Sequence, residues 1–279
     1  MKRILVIAAL LVGLAVVQGQ AGEILLPVFT YAWPGFAGNL WYSEISLVNP
    51  TAAPIVVDPP TFLGGTIVVP FPCLPPLRQT TVPPHSTVVW RPWDVAMDLG
   101  CPSRAVGALL LFADGPLVVD SRVTNVGEGL LPDEGPLRGF GQTIPGREMA
   151  ALAPAGTRLM LPAMIWHPNA CGAVAFDSYV GFANPGDEPV LVKIDLGPGS
   201  DETAVKVDGK VMSLPAAIEI PARGWKQVHL QPLDSMLTVC LPPQRFDLLL
   251  IPDGPLAVYG SVVDRSTQDP RTILPVELE

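Results

Sequence analysis

The residues best suited to recognition in this chain are aromatic, and most of them crowd one early stretch. Tyr31, Trp33 and Phe36 fall in that stretch, and Trp166 lies at the matching place in the second half of the sequence. Exposed Trp and Tyr rings can stack on sugar rings or anchor a protein partner. The alternative is that the rings pack inside the protein, as the strand phase of Trp41 predicts. Among these four candidate binding residues, Trp33 and Trp166 are the most informative to test.

No group of residues matches a catalytic or metal-binding motif. The sequence contains no G-x-S-x-G nucleophile elbow. The three histidines, His85, His167 and His229, have neither H-E-x-x-H nor H-x-H spacing, so no zinc site is predicted. Acidic residues cluster at turns without a D-x-D-x-D calcium loop, and sequence cannot reveal whether two carboxylates converge as a glycosidase requires. We predict no catalytic residues, no metal and no cofactor, and rank an uncharacterised hydrolase last.

The first 21 residues have the pattern of a secretory signal peptide. Lys2 and Arg3 precede an apolar run over residues 4–17, and small residues follow as far as Ala21. The run is short for a membrane-spanning helix, which needs about 20 residues, and an uncleaved anchor is the alternative. We predict cleavage after Ala21 or Gly19 and a secreted or periplasmic protein that is not inserted in a membrane.

Export makes the four cysteines candidates for disulfide bonds. Cys73 and Cys101 lie in the first half of the chain, and Cys171 and Cys240 lie in the second. Of the three possible pairings, Cys73–Cys101 with Cys171–Cys240 keeps each bridge within its own half. Each bridge would close a long loop and stabilise the fold by about 3–4 kcal/mol. Free buried thiols are the alternative, and the absence of C-x-x-C spacing disfavours zinc.

The elements that must position these residues occur twice. Segment 113–125 begins Ala-Asp-Gly-Pro-Leu-Val-Val, and segment 252–264 begins Pro-Asp-Gly-Pro-Leu-Ala-Val. Segment 41–50, which ends in Asn-Pro, returns 135 residues later as segment 176–185. Alternate residues of both segments form one consistently apolar face, which is typical of a half-buried strand. The chain is therefore predicted to be one β-rich unit used twice.

Composition favours a fold made of many short strands and turns. The chain contains 33 prolines and 26 glycines, and proline cannot donate to a helix or a sheet ladder. Hydrophobic residues make up 49% and charged residues 15%, which suits packed cores and argues against disorder. We predict an all-β protein of two tandem related β-sandwich domains, residues 22–150 and 151–279. Immunoglobulin-like topology is expected, with a jelly roll as the alternative.

The net charge of the chain disfavours some classes of binding partner. The formal net charge is −9, and it becomes −11 when Lys2 and Arg3 are removed with the leader. A nucleic acid partner needs a basic face, and an anionic membrane surface is disfavoured for the same reason. The partners that remain are proteins or glycans at the cell surface.

The repeated motifs resemble those of a known group of proteins. Leu-Pro, an aromatic-x-Ser strand ending in Asn-Pro, Asp-Gly-Pro-Leu-x-Val, and Gly-Gln-Thr-Ile-Pro at 141–145 resemble secreted bacterial proteins built of tandem immunoglobulin-like β-sandwich modules. The second half lacks the Gly-Gln pair. The resemblance covers nearly the whole mature chain, and because its motifs are structural it implies a compartment and a fold.

These observations predict a non-catalytic exported protein for extracellular or cell-envelope interaction, acting as a structural or adhesive module. The alternative is carbohydrate or surface-polymer binding through the loop aromatics. The two hypotheses differ in whether Trp33 and Trp166 contact a ligand.

Overall fold

Antiparallel strands make up most of the fold that the structure describes. The computed structural model describes residues 22–35, 38–68, 78–126, 139–167, 176–197, 204–232, 244–265 and 267–279. The strands of the first half are β1 (Gly22–Tyr31), β2 (Trp33–Pro34), β3 (Leu40–Val48), β4 (Ile55–Val57), β5 (Thr61–Val68), β6 (Thr80–Val82), β7 (Thr87–Trp90), β8 (Arg104–Ala113), β9 (Val118–Val126), β10 (Phe140–Pro145) and β11 (Arg147–Glu148). A short helix, α1 (Pro92–Asp98), precedes β8, and a 3-10 turn at Met149–Ala151 follows β11.

The strands of the second half follow, and most have a counterpart in the first half. They are β12 (Arg158–Trp166), β13 (Phe176–Asn184), β14 (Val190–Leu196), β15 (Ala204–Val207), β16 (Lys210–Ser213), β17 (Ala216–Ile220), β18 (Gly224–Pro232), β19 (Gln244–Pro252), β20 (Ala257–Asp264), β21 (Asp269–Ile273) and β22 (Val276–Leu278). The prediction of an all-β fold is confirmed.

Each half is a sandwich of two sheets. Sheet I has the order β11-β1-β8-β4-β6 with β5 also beside β8, and sheet II has the order β10-β9-β3-β2 with β7 also beside β3. Sheet III has the order β17-β14-β19-β12-β22, and sheet IV has the order β16-β15-β18-β13-β20-β21. One hydrophobic core lies between sheets I and II, and a second lies between sheets III and IV.

The strand order is that of a jelly roll. In the second half β12 pairs with β19 and β13 with β18, while β14 lies between β19 and β17 and β15 between β18 and β16. The first half likewise pairs β1 with β8 and β3 with β7. In an immunoglobulin fold the first two strands share a sheet, whereas here they lie in opposite sheets. The immunoglobulin-like expectation was therefore wrong. The jelly-roll alternative describes the second half in full, and the first half shares its β1–β8, β3–β7 and β4–β6 pairs.

Turn chemistry explains why the repeat was visible in the sequence. Asn49 Nδ2 donates to the Ala53 carbonyl oxygen at 2.7 Å, and Asn184 Nδ2 donates to that of Glu188 at 2.8 Å. Both asparagines are 1% exposed. Each asparagine closes the turn that ends its strand, so the side chain is required for the local fold.

The Asp-Gly-Pro turns also repeat in detail. Asp114 Oδ1 accepts a hydrogen bond from the Val56 N–H at 2.7 Å, and Asp253 Oδ1 accepts one from the Leu191 N–H at 2.8 Å. The carboxylates thus tie the turns after β8 and β19 to β4 and β14. An aspartate in this position satisfies a backbone donor at the end of a short ladder.

Several predictions fall outside the described residues. The predicted leader and Cys73, Cys171 and Cys240 lie there, while Cys101 is described, with its Sγ 3.7 Å from Met97 Sδ. The disulfide pairing and export therefore stay predictions. Within the described ranges, no helix is long and apolar enough to cross a membrane.

The two sandwiches pack through the outer faces of sheets I and IV. Leu25 and Ala108 of sheet I form one buried cluster with Ala183 and Ala257 of sheet IV. The start of β18 lies so close to Gly64 that a Cβ there would approach the Trp225 backbone nitrogen to 2.4 Å. Sheet I is therefore covered on both faces around Leu25 and Ala108, and this contact joins the two halves.

Candidate functional site

A cleft opens beside this contact, and both halves line it. Its volume is about 390 Å³, within the usual range for small-molecule sites of roughly 300–1,000 Å³. The first half contributes Val28, Thr30, Trp33, Pro34, Gly35, Trp41, Val106, Val123 and Gln142. The second half contributes Asp177, Tyr179, Trp225, Gln227, Tyr259, Ser261, Val263, Arg265 and Gln268.

Two tryptophans of the first half lie side by side at the cleft. Trp33 of β2 is paired directly with Trp41 of β3, so their side chains leave the ladder on the same face. A Cβ at Gly35 would approach Trp41 Nε1 to 2.6 Å, and the Gly35 N–H donates to the Asn39 carbonyl oxygen at 2.7 Å. The glycine turn therefore leaves space for the indole that any larger residue would occupy.

The third tryptophan comes from the other half and is fixed by a break in β1. The register of β1 against β8 shifts between Leu26 and Phe29, which is the signature of a β-bulge. Trp225 Nε1 donates to the Pro27 carbonyl oxygen within this bulge at 2.9 Å. The half-buried indole is thus held in one orientation at the junction of the two sandwiches.

Tyr259 forms the inner wall of the cleft. It lies across from Gly181 in the β13–β20 ladder, where an added Cβ would come within 2.1 Å of the tyrosine ring. Its side chain is 1% exposed, and its hydroxyl accepts a hydrogen bond from Gln227 Nε2 at 3.4 Å. Burial strongly raises the pKa of the Tyr259 phenol. The wall is therefore neutral at physiological pH.

Charge at the cleft is concentrated in one compensated group. Arg265 donates to Asp177 through both Nε and Nη2, the latter at 2.9 Å, and His229 Nε2 lies 3.1 Å from Asp177 Oδ1. Burial by itself would raise the pKa of Asp177, whose side chain is 7% exposed. Hydrogen bonds from His229 and Arg265, together with their charges, outweigh burial and hold the pKa of Asp177 below its ordinary value. Asp177 is therefore an ionised, paired carboxylate.

Tyr179 connects this charged group to the aromatic wall. Its ring stacks on His229 with centroids 4.9 Å apart and planes inclined by 27°. Burial and the nearby Asp177 carboxylate raise the pKa of the Tyr179 phenol. The ring therefore stays neutral, with one face against His229, and the residue lines the cleft.

An amide of the first half is fixed by hydroxyls of the second. Gln142 Oε1 accepts hydrogen bonds from Ser261 Oγ and Thr272 Oγ1, each at 3.1 Å. In this orientation the Nε2 of Gln142 is not used by the two hydroxyls. Gln227 donates through its Nε2 to Tyr259, and its Oε1 is not used in that hydrogen bond.

The resulting site combines flat apolar rings with oriented amides, a hydroxyl and a neutralised ion pair. Such a lining suits a ligand with apolar faces and a polar, hydrogen-bonding edge. Within the described ranges, no group of three His, Cys, Asp or Glu side chains could hold a metal ion. The geometry favours recognition of an uncharged polar ring.

The four predicted binding residues are separated by the structure. Trp33 lines the cleft, whereas Tyr31 packs edge-on against Tyr42 with ring centroids 5.7 Å apart. Trp166 is 5% exposed and does not line the cleft, so it lacks the exposed ring surface that its predicted role requires. Phe36 lies outside the described residues. The expected core role of Trp41 holds in part, because this residue packs against buried neighbours and also lines the cleft.

Sequence reasoning missed the second half of the site. The strand phase placed Ser178 and Val180 on the core face of β13, which leaves Asp177 and Tyr179 together on the other face. That alternation was the available signal. It could not indicate that the outer face of sheet IV packs against the first half of the chain.

Comparisons with known proteins add little to this description. No family model matches the chain, and no curated protein does. Among solved structures, the chain is similar to the apo form of a Pleurotus ostreatus lectin, with 11% identity over 94% of this chain and 77% of the lectin and a TM-score of 0.15. The lectin from Pleurotus ostreatus in complex with GalNAc gives 13% identity, 94% and 83% coverage and a TM-score of 0.13. Similarities at TM-scores this low carry no argument.

Proposed function

We propose that this is an exported, non-catalytic protein that binds a neutral carbohydrate in the cleft between its two sandwiches. The observation that carries the proposal is the convergence of three tryptophans, two tyrosines and two oriented amides around one cleft of about 390 Å³. Binding at the cell envelope is the setting that the leader pattern and the charge of the chain favour.

The aromatic residues supply the surface that a sugar ring needs. Pyranose rings carry apolar C–H faces and hydroxyl edges, and half-buried Trp and Tyr side chains pair an apolar face with a polar tip. Trp33, Trp41 and Trp225 come from both halves, so a ring can be contacted from more than one side. The Gln142 and Gln227 amides offer a donor and an acceptor for hydroxyls.

Charge favours a neutral ligand over an ionic one. The Asp177 carboxylate is compensated by Arg265, so the cleft has no uncompensated charge from this pair. The chain itself has a formal net charge of −9, which repels acidic polymers. A neutral sugar needs no opposite charge in the cleft and is not repelled by the negative charge of the chain.

The state of Asp177 disfavours a role as the general acid of a hydrolase. A glycosidase needs a carboxylic acid with a raised pKa to protonate the leaving group. The pKa of Asp177 is lowered instead, and both oxygens accept hydrogen bonds from Arg265. Asp177 therefore organises the cleft and does not act as an acid.

A titration of neutral glycans, chosen by array screening, tests this function on the purified protein. Trp33→Ala should weaken binding at least about tenfold, equivalent to about 1.4 kcal/mol. The matched control is Trp93→Ala, because Trp93 is 53% exposed and lies outside the cleft. No glycan binding by the wild-type protein, or equal losses for both variants, would contradict the proposal.

A further inference from the structure

The contact between the two sandwiches uses different faces of the repeated unit. The first half contributes the outer face of sheet I, built around β1 and β8, and the second half contributes the outer face of sheet IV, built around β13 and β20. Sheet III is the counterpart of sheet I without a described equivalent of β5, and sheet II is the counterpart of sheet IV without described equivalents of β15 and β16. The contact is therefore heterologous, and each half keeps one of the two complementary faces open.

The open face of sheet III keeps the apolar pair that sheet I buries. Leu25 lies opposite Leu110 in the β1–β8 ladder, and both pack in the contact between the halves. Met160 lies opposite Leu249 at the same positions of the β12–β19 ladder, and both are only half-buried. Val276 beside Met160 is 50% exposed. An apolar surface that has a covered counterpart therefore lies open on sheet III.

The open face of sheet II keeps the other partner of the contact. Ala183 lies opposite Ala257 in the β13–β20 ladder, and both are buried against sheet I. The equivalent pair in the β3–β9 ladder is Val48 opposite Val118, and Val118 is 53% exposed. Val89 on the adjacent β7 is 48% exposed. The receiving surface on sheet II thus keeps an apolar patch of Val118 and Val89, beside the Ser46–Asp120 pair on the same face.

We infer that the protein assembles head to tail, with the outer face of sheet III of one copy docked on the outer face of sheet II of the next. The contact continues the stack of sheets II, I, IV and III that each chain already forms. A heterologous contact that does not close into a ring adds copies without limit, so the expected product is an open filament. Exposed apolar patches of this kind are typical interaction surfaces.

The experiment measures mass against concentration for the purified protein by sedimentation and light scattering. The wild-type mass should rise with concentration beyond that of a dimer. Val118→Lys blocks one face and Met160→Lys blocks the other, so each variant alone should remain a monomer. A mixture of the two variants should form a dimer, because each retains the face that the other lacks.

Val211→Lys is the matched control, since Val211 is 56% exposed on β16 away from both faces, and it should assemble like the wild type. Circular dichroism checks the fold of each variant. If a lysine variant fails to fold, the serine substitution at the same position, Val118→Ser or Met160→Ser, is used in its place. A wild-type protein that stays monomeric, variants that assemble like the wild type, or a mixture that stays monomeric would overturn the inference. The measurement needs no glycan, so its result is independent of the proposed function.

Discussion

Strands β1 and β12 hold the same position in the two halves, yet they are buried in different ways. Seven consecutive residues of β1 are buried, from Ile24 to Thr30. In β12 buried residues alternate with more exposed ones for most of the strand. The difference arises because the outer face of sheet I packs against sheet IV, whereas the outer face of sheet III is open. A strand covered on both faces needs a continuous apolar run, while one covered on a single face needs only alternation.

The comparison also explains where the cleft lies. Both strands contain a bulge at the same place, between Leu26 and Phe29 in β1 and between Leu161 and Met164 in β12. Only the first bulge faces the other half, where the Pro27 carbonyl oxygen accepts the Trp225 indole N–H. A local feature common to both copies thus becomes part of a site in one of them.

The largest expected difference between the two strands is in the loss of unfolding free energy when a charged residue is introduced on the outer face of each. Leu25→Asp places a carboxylate at a position that is fully buried, and an unpaired buried charge should cost more than about 5 kcal/mol. Met160→Asp, at the equivalent half-buried position, should cost about 1 kcal/mol. Urea unfolding of the two variants measures both values. Equal losses would mean that the contact between the halves does not persist in solution.

A smaller loss of unfolding free energy is expected when a side chain is added at Gly64, where β5 packs closely against β18. Gly64 has φ +54°, and a Cβ there would lie 2.4 Å from the Trp225 backbone nitrogen, so Gly64→Ala should cost about 3 kcal/mol. Gly209→Ala is the control, because Gly209 has φ +79° with no neighbour within 4 Å, and strain alone should cost about 1 kcal/mol. Thermal unfolding measures the two variants. A Gly64→Ala protein as stable as Gly209→Ala would show that the halves separate readily.

Substitutions at positions that have the same role in both halves should lower the free energy of unfolding by the same amount. Asn49 and Asn184 each donate to three backbone carbonyl oxygens. Asn49→Ala and Asn184→Ala should each cost about 2 kcal/mol, because buried carbonyl groups lose their donor. Chemical unfolding of both variants checks this. Losses that differ by more than about 0.5 kcal/mol would mean that the two turns are not energetically equivalent.

These pairs show why the fold was predictable and the site largely was not. Asn49 and Asp114 act within their own turns, so their residue types recur with the fold and reveal the repeat. The topology was harder to predict, because the alternation of apolar and polar residues identifies a strand but not the strands with which it pairs. The cleft depends on contacts such as Trp225 with Pro27, which are 198 residues apart. Trp33 was predicted because it lies in a stretch rich in aromatic residues, whereas no sequence motif distinguished Asp177 and Arg265.

The smallest predicted change in stability depends on pH. It compares Asp177 on sheet IV with the equivalent position on sheet II. The pKa of Asp177 is lower in the folded protein than its ordinary value, so ionised Asp177 stabilises the fold above the unfolded pKa of about 3.9. That stabilisation is lost as the pH falls through the folded pKa. Asp177→Asn should therefore cost about 1 kcal/mol at neutral pH, and the difference from the wild type should shrink as the pH falls below about 4.

The equivalent position on sheet II is Tyr42, which is also buried, so Tyr42→Phe provides the matched variant. Its stability relative to the wild type should change less between pH 7 and pH 3 than that of Asp177→Asn, because the substitution removes a hydroxyl group and no carboxylate. Urea unfolding across that range compares the two variants. A constant difference for Asp177→Asn would mean that the pair with Arg265 does not hold the carboxylate in its charged form, and the argument for a neutral, non-catalytic cleft would lose its basis.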